Sequence, residues 1–213
     1  MDCITFNMAG MHRHGTAFYD FLRLRKTFFV DQLGWDIPHD DEVEMDQYDN
    51  PQAWYILVLD DDGEVVGGGR TMPHSARWGS HTYMLNDARQ GRIDSIPSSV
   101  MDGVHVENRI WEVTRFVISD ALATQAERSK CLSLILEGLE SLLLRFGGVE
   151  AISLSPPPMV RAVRSLGYDA ERRGEAYLCE DGRRYAVMGI PVRAHKRTGS
   201  GVAASAAAAR PPL

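Results

Sequence analysis

Six consecutive apolar residues, Trp54–Leu59 (WYILVL), limit what this chain can fold into more than any other feature. A strand with one wet face would alternate apolar and polar residues, so an unbroken run of this length reads as a strand covered on both faces. Asp60, Asp61, Asp62 and Gly63 supply turn chemistry, and residues 64–70 return as a second strand, making a hairpin. Gly67, Gly68 and Gly69 weaken that second strand intrinsically, which predicts a bulge or a close approach by another backbone or a ligand. Arg70 follows at once, a candidate to pair with a nearby carboxylate or to bind one bidentately.

Upstream, residues 17–30 read as a helix whose apolar stripe carries Phe18, Phe21, Leu22, Phe28 and Phe29. Arg25 falls on that stripe. A buried guanidinium there needs acceptors to offset its desolvation; the alternative is that its stem snorkels to water. Gly34 and Pro38 then end the periodicity, and residues 33–53 read as a loop of a length that is usually functional. Trp35 in that loop is either a core plug or a stacking surface. From Asp31 through Glu64 there are twelve Asp or Glu residues and no Lys or Arg, a one-signed run that is either solvated or prepared for a cation. Asp46 and Asp49 have three open fates: water, Arg25, or a positively charged ligand.

Downstream, residues 71–108 carry little pattern beyond a short helix around Leu85, whereas Ile110–Ile118 (IWEVTRFVI) is a strand interrupted by Glu112 and Arg115. Residues three apart on a regular strand face opposite ways, so these two converge only if a β-bulge lies between them. A helix over 126–146 follows, then a strand over 150–154, a helix from Pro158 to about Leu166, and closing strands over 168–171, 176–179 and 184–190. The order describes an α/β sandwich with a mixed, mostly antiparallel central sheet flanked by helices.

A chain of 213 residues suits one domain, here expected over 1–193, with a disordered tail over 194–213 rich in Ala, Gly and Ser. The net charge of −6 argues against nucleic acid as a partner. Nine Arg or Lys against five acids between residues 161 and 197 nevertheless make a basic region that balances the acidic loop. Cys3, Cys131 and Cys179 are isolated and show no metal-ligand spacing, so no metal is expected. Reduced thiols, no secretory signal and no run long enough to cross a bilayer predict a cytoplasmic protein without a membrane partner.

Taken together, Arg25, Phe29, Trp35, Asp46, Asp49, Arg70, Glu112 and Arg115 carry a resemblance. Their motifs, R-x-x-x-F, G-W, E-x-D-Q-Y-D and E-V-T-R-F, resemble in type, order and spacing the signature of the acyl-homoserine lactone synthases, the LuxI-like autoinducer synthases. The likeness spans roughly residues 18–192. It implies a fold similar to the GNAT acyltransferases and acyl transfer from an acyl thioester, on acyl carrier protein or as acyl-CoA, to the amine of S-adenosylmethionine. Lactonisation and release of methylthioadenosine would follow, yielding a quorum-sensing signal with no cofactor besides the two substrates.

By the same resemblance, Arg25, Asp46, Asp49 and Arg70 form an ion-pair network that shapes the S-adenosylmethionine pocket, with Phe29 and Trp35 as walls. Glu112 and Arg115 are the catalytic pair, Glu112 the candidate base for the attacking amine. Strands 110–117 and 150–154 splay to admit the pantetheine arm and acyl chain. Ser153 stands where many relatives that accept a 3-oxo chain have threonine, which assigns it to the acyl-chain pocket. The stretch 119–130 lacks the glycine loop with which ordinary GNAT enzymes cradle pyrophosphate, and Arg161 and Arg164 are candidates to dock a carrier protein or coenzyme A. A different GNAT-like N-acyltransferase, using acyl-CoA and another amine or amino acid, would share Glu112 but has no need of the acidic loop or Trp35. A non-catalytic small-molecule sensor on the same fold is the third reading.

Overall fold

The computed structural model describes residues 1–104 and 109–192, so the tail expected over 194–213 lies outside the described residues. Eight strands, β1 (Asp2–Asn7), β2 (Trp54–Leu59), β3 (Val65–Pro73), β4 (Ile110–Ile118), β5 (Glu150–Ser155), β6 (Glu171–Arg172), β7 (Tyr177–Leu178) and β8 (Arg184–Pro191), form the sheet. Its order is β1-β2-β3-β4-β5-β8-β6, with β7 on β8. Among the described residues only β4 and β5 pair in parallel; the other ladders are antiparallel.

The apolar run in β2 is explained by its neighbours. Tyr55 and Leu57 point into a core shared with helix α1 (Ala17–Arg25), while Ile56 and Val58 point into a second core under helix α3 (Gln125–Arg145). Helix α3 begins with a capping box: the Thr124 hydroxyl accepts the Glu127 N–H, and the Glu127 carboxylate accepts the Thr124 N–H. Helix α4 (Pro158–Ser165) lies on the same side, through Val163. The short helix α2 (Met84–Arg89) belongs to the opposite core, through Leu85 and Ala88.

The glycines of β3 are sites of close approach. A Cβ on Gly67 would stand 2.5 Å from Cys131 Sγ in α3, and one on Gly68 would stand 2.6 Å from Leu57 Cδ2 and 3.1 Å from Phe21 Cε2 in α1. The sheet is thus clasped tightly between the two helices at this point.

Three differences from the sequence reading stand out. Strand β1 was not anticipated, because it is a short edge strand whose residues face both cores: Ile4 and Phe6 one way, Cys3 the other. The closing strand expected over 168–171 reduces to Glu171–Arg172, since only those residues find partners on β8. The helix expected over 17–30 changes character: after Arg25 it widens into π-type turns over Lys26–Gln32. There the Leu33 N–H reaches back to Phe28 O at 3.1 Å, and the Trp35 N–H to Phe29 O at 3.0 Å. Such widened turns cluster at functional sites.

Candidate active site

The required bulge is present in β4. Gly68 pairs with Val117 and Arg70 with Thr114, so three steps along β4 span two along β3, and Arg115 takes a φ of 53°. Ile110 and Val117 face the α1 core and Trp111 and Val113 the α3 core. Alternation puts Glu112 and Thr114 on the α1 side, and the extra residue brings Arg115 onto it too.

On that side the three arginines meet three carboxylates. Arg25 donates from Nε to Glu44 at 2.6 Å and from Nη1 and Nη2 to the two oxygens of Asp49, each at 2.8 Å. Arg70 binds Asp46 through Nη1 and Nη2, meets Asp49 at 2.9 Å, and donates from Nε to the Thr114 hydroxyl at 3.1 Å. Arg115 donates from Nε to Glu44 at 3.0 Å and from Nη2 to Asp46 at 2.8 Å. The Tyr55 hydroxyl gives Asp49 a further bond at 3.0 Å. The Arg25, Arg70, Glu44 and Asp49 side chains are completely buried; that of Arg115 is 8% exposed.

Burial alone would raise the carboxyl pKa values of Asp46 and Asp49. Arg70 and Arg115 beside Asp46, and Arg70 and Arg25 beside Asp49, outweigh it and hold both below the usual carboxylate range. One oxygen each from Glu44, Asp46 and Asp49 lies within 4.8 Å of the others, a spacing that would also suit a metal ion. Three guanidiniums already occupy that field, so a further cation would meet their repulsion. The formal charges of the cluster cancel, and the inner part of the acidic loop is therefore spent on arginines rather than left for a cationic ligand.

Glu112 sits apart from the ion pairs, on the same face. It is 2% exposed, and its two oxygens accept the backbone N–H groups of Met84 at 2.8 Å and Leu85 at 2.7 Å, at the start of α2. Burial raises its pKa to about 7 although both N–H donors and Arg70 favour the anion. A carboxyl titrating there is suited to taking up a proton near neutrality.

Aromatic rings continue the site outward. Phe29 and Trp35 stack with centroids 4.9 Å apart and a 30° interplanar angle, and the Arg115 guanidinium carbon lies 5.5 Å from the Phe29 centroid. Tyr48 lies below Arg70 at 5.6 Å and donates its hydroxyl to buried Asp87 at 3.1 Å, which also accepts the Thr82 hydroxyl and N–H.

Beside this face the sheet opens. The β4–β5 ladder ends at Glu112↔Ile152, although β4 runs on to Ile118 and β5 to Ser155. Ser153 is the first residue of β5 beyond the ladder. It is buried on the α3 side, in step with Ala151, and its hydroxyl is bonded to that of Ser155 at 2.9 Å. Arg161 and Arg164 lie on α4; Arg161 is exposed, while Arg164 donates from Nε to Ala170 O at 2.6 Å and so is partly engaged in holding the α4–β6 turn.

The structure therefore brings Arg25, Asp46, Asp49, Arg70 and Arg115 into one network, with Phe29 and Trp35 beside it and Glu112 on the same face. It keeps Ser153, Arg161 and Arg164 on the other side of the sheet. Glu44, Tyr55 and Thr114 were not singled out from the sequence as members of the network. Glu44 and Thr114 had a signal, as the first residue of E-x-D-Q-Y-D and the third of E-V-T-R-F; Tyr55 lay inside a strand and looked like packing.

Residues 10–146 match the family described as autoinducer synthase. A protein named acyl-homoserine-lactone synthase from Acinetobacter nosocomialis is 28% identical over 161 residues, covering 72% of this chain and 81% of that one. One of the same name from Ralstonia solanacearum is 27% identical over 194 residues, 89% of each chain. The crystal structure of TofI in a ternary complex with an inhibitor and MTA has the same fold, with a TM-score of 0.71 at 24% identity over 91% of this chain and 93% of that one.

Proposed function

The chain belongs to the autoinducer synthase family, and from that premise we propose the chemistry its site performs: synthesis of an acyl-homoserine lactone from S-adenosylmethionine and an acyl thioester. The amine nitrogen of S-adenosylmethionine attacks the thioester carbonyl, the carbon–sulfur bond breaks, and the thiol leaves as the amide forms. The methionyl carboxylate then attacks its own γ-carbon, the bond from that carbon to the sulfonium sulfur breaks, and methylthioadenosine departs as the ring closes. Both substrates carry their own leaving groups, so the reaction needs no cofactor.

The observation that carries this reading is the buried three-arginine, three-carboxylate network beside a gap between β4 and β5, with Glu112 on the same face. In the proposed division of labour, Glu112 accepts the amine proton, directly or through water, its raised pKa suiting that step. Arg25 and Arg70, fully buried, act by fixing the pocket. Arg115, whose side chain retains some exposure, is the arginine placed to meet the substrate carboxylate. Phe29 and Trp35 offer ring faces to the adenine. The gap beyond Glu112 and Ile152 admits the thioester arm, with Ser153 along the acyl chain, and Arg161 and Arg164 face the carrier.

Among the described residues no helix is long and apolar enough to cross a membrane. The three cysteines are free, which suits a reducing compartment, and the cytoplasm is the proposed location.

Incubating the protein with S-adenosylmethionine and a panel of thioesters on acyl carrier protein and coenzyme A should release methylthioadenosine together with a lactone. If no thioester yields methylthioadenosine while another amine acceptor is acylated, the protein is a different N-acyltransferase.

A further inference from the structure

The family match ends at residue 146, yet the indole of Trp35 is held from the last third of the chain. Asp181, in the turn between β7 and β8, lies 146 residues downstream of Trp35 and outside the matched residues 10–146. Its Oδ2 accepts the Trp35 Nε1–H at 2.9 Å and the Tyr185 hydroxyl at 2.7 Å, while Oδ1 accepts the Arg183 N–H at 2.9 Å. The turn that carries it is itself pinned. Cys179 N–H bonds to Arg183 O, Gly182 N–H bonds to Cys179 O, and Gly182 takes the positive φ of 74° that the turn requires.

We propose that Asp181 is a positioning residue for the S-adenosylmethionine pocket, setting the orientation of the Trp35 indole through its N–H. The proposal rests on the assignment of Trp35 to the pocket wall. Stacking on Phe29 sets the distance between the rings but leaves the indole able to slide and rotate in its plane, because ring–ring attraction is broad in angle. A directional bond at the indole nitrogen removes that freedom. The acceptor is already oriented by Tyr185 and Arg183, and Tyr185 also meets the indole in an edge contact at 6.0 Å. A continuous path thus runs from the ion-pair network through Arg115, Phe29 and Trp35 to the β7–β8 turn. Hydrogen bonds from Trp35 and Tyr185 keep Asp181 ionised, below its usual pKa despite the partial burial that opposes this.

A general stabilising role for Asp181 makes a different prediction, which a double-substitution cycle separates. Trp35→Phe keeps an aromatic ring on Phe29 and deletes the N–H. Asp181→Ala in the parent should weaken S-adenosylmethionine binding by roughly tenfold, measured calorimetrically, as expected for losing a charge-assisted bond. In the Trp35→Phe background the same substitution should change binding by less than about twofold. Equal effects in both backgrounds would overturn the proposal.

In ¹⁵N-labelled protein, the indole signal lost in Trp35→Phe identifies Trp35. Asp181→Ala should shift that signal and speed its exchange with solvent; an unchanged signal also overturns the proposal. If Asp181→Ala does not fold, Asp181→Leu, which keeps the branched shape and removes both acceptor oxygens, is read in the same way. A parent that binds no S-adenosylmethionine while its indole still responds to Asp181 would refute the pocket assignment and leave the hold of Asp181 on Trp35 intact.

Discussion

Replacing Arg70 with alanine tests whether the charge network is as enclosed as its geometry indicates. The Arg70 side chain is completely buried between Asp46 and Asp49, with Thr114 on its third side. After the substitution Asp49 keeps Arg25 and Asp46 keeps Arg115, but three carboxylates then face two guanidiniums and one negative charge is uncompensated in the interior. Breaking a buried pair in this way costs about 3–5 kcal/mol. For a domain of this size each kcal/mol shifts the melting temperature by about 2–4 °C, so the variant should melt about 6–20 °C below the parent at pH 7.

The pH dependence gives a second handle on the same substitution. Asp46 and Asp49 have depressed pKa values in the fold, so the stability they contribute is present above the ordinary carboxylate range and is lost as pH falls through the folded values. Without Arg70 the depression is smaller. The gap between variant and parent should therefore be widest near neutrality and narrow as the pH is taken below about 4. Melts followed by circular dichroism across that range measure both effects. A variant that melts within about 2 °C of the parent at pH 7 would place the Arg70 guanidinium in solvent and refute the enclosed network.

Further outcomes follow from three other sites, Glu112, Gly68 and Thr124. Glu112→Gln should lower turnover by about 10²–10⁴-fold while disturbing S-adenosylmethionine affinity far less, and unchanged turnover would remove Glu112 from the base role. In the parent, kcat/KM should rise with pH as this carboxyl, with its pKa of about 7, loses its proton. Because that folded value is raised, its stabilising contribution is complete below the ordinary carboxylate range and is lost as pH rises through about 7; Glu112→Gln should flatten this part of the stability curve. Gly68→Ala, which puts a methyl 2.6 Å from Leu57 Cδ2 and 2.7 Å from Ile56 O, should cost about 1–3 kcal/mol in urea denaturation. Gly69→Ala, whose nearest contact would be 3.6 Å, is the control, and equal losses in both would discount the close packing at Gly68. Thr124→Ala removes the cap of α3 and should cost about 1 kcal/mol by the same assay.

How much of this was legible in the chain varied with the range of the interaction. The β2–β3 hairpin was readable because its turn chemistry and its apolar run are local. Helix α3 was readable because its stripe repeats over 21 residues. Strand β1 was not, since a six-residue edge strand packing on two cores carries no single-faced pattern. The bulge in β4 could be stated as a condition, that Glu112 and Arg115 share a face only if one exists. Its position at Arg115 follows from the register against β3, which nothing near Arg115 in the chain encodes.

By itself, then, the sequence determined the layers, the order of elements apart from β1 and, through the spacing of its motifs, the family and the residue types of the site. Those depend on hydrophobic periodicity and turn chemistry, which act over a few residues. The tertiary structure alone decided the pairings. Glu44 bridges Arg25 and Arg115, Arg70 straddles Asp46 and Asp49, Glu112 takes two amides of α2, and Asp181 holds Trp35 from 146 residues away. Which charge meets which depends on register, on the extra residue in β4 and on loops returning to the sheet. Coulomb attraction and hydrogen bonding then select among the partners that the folded chain has already brought together.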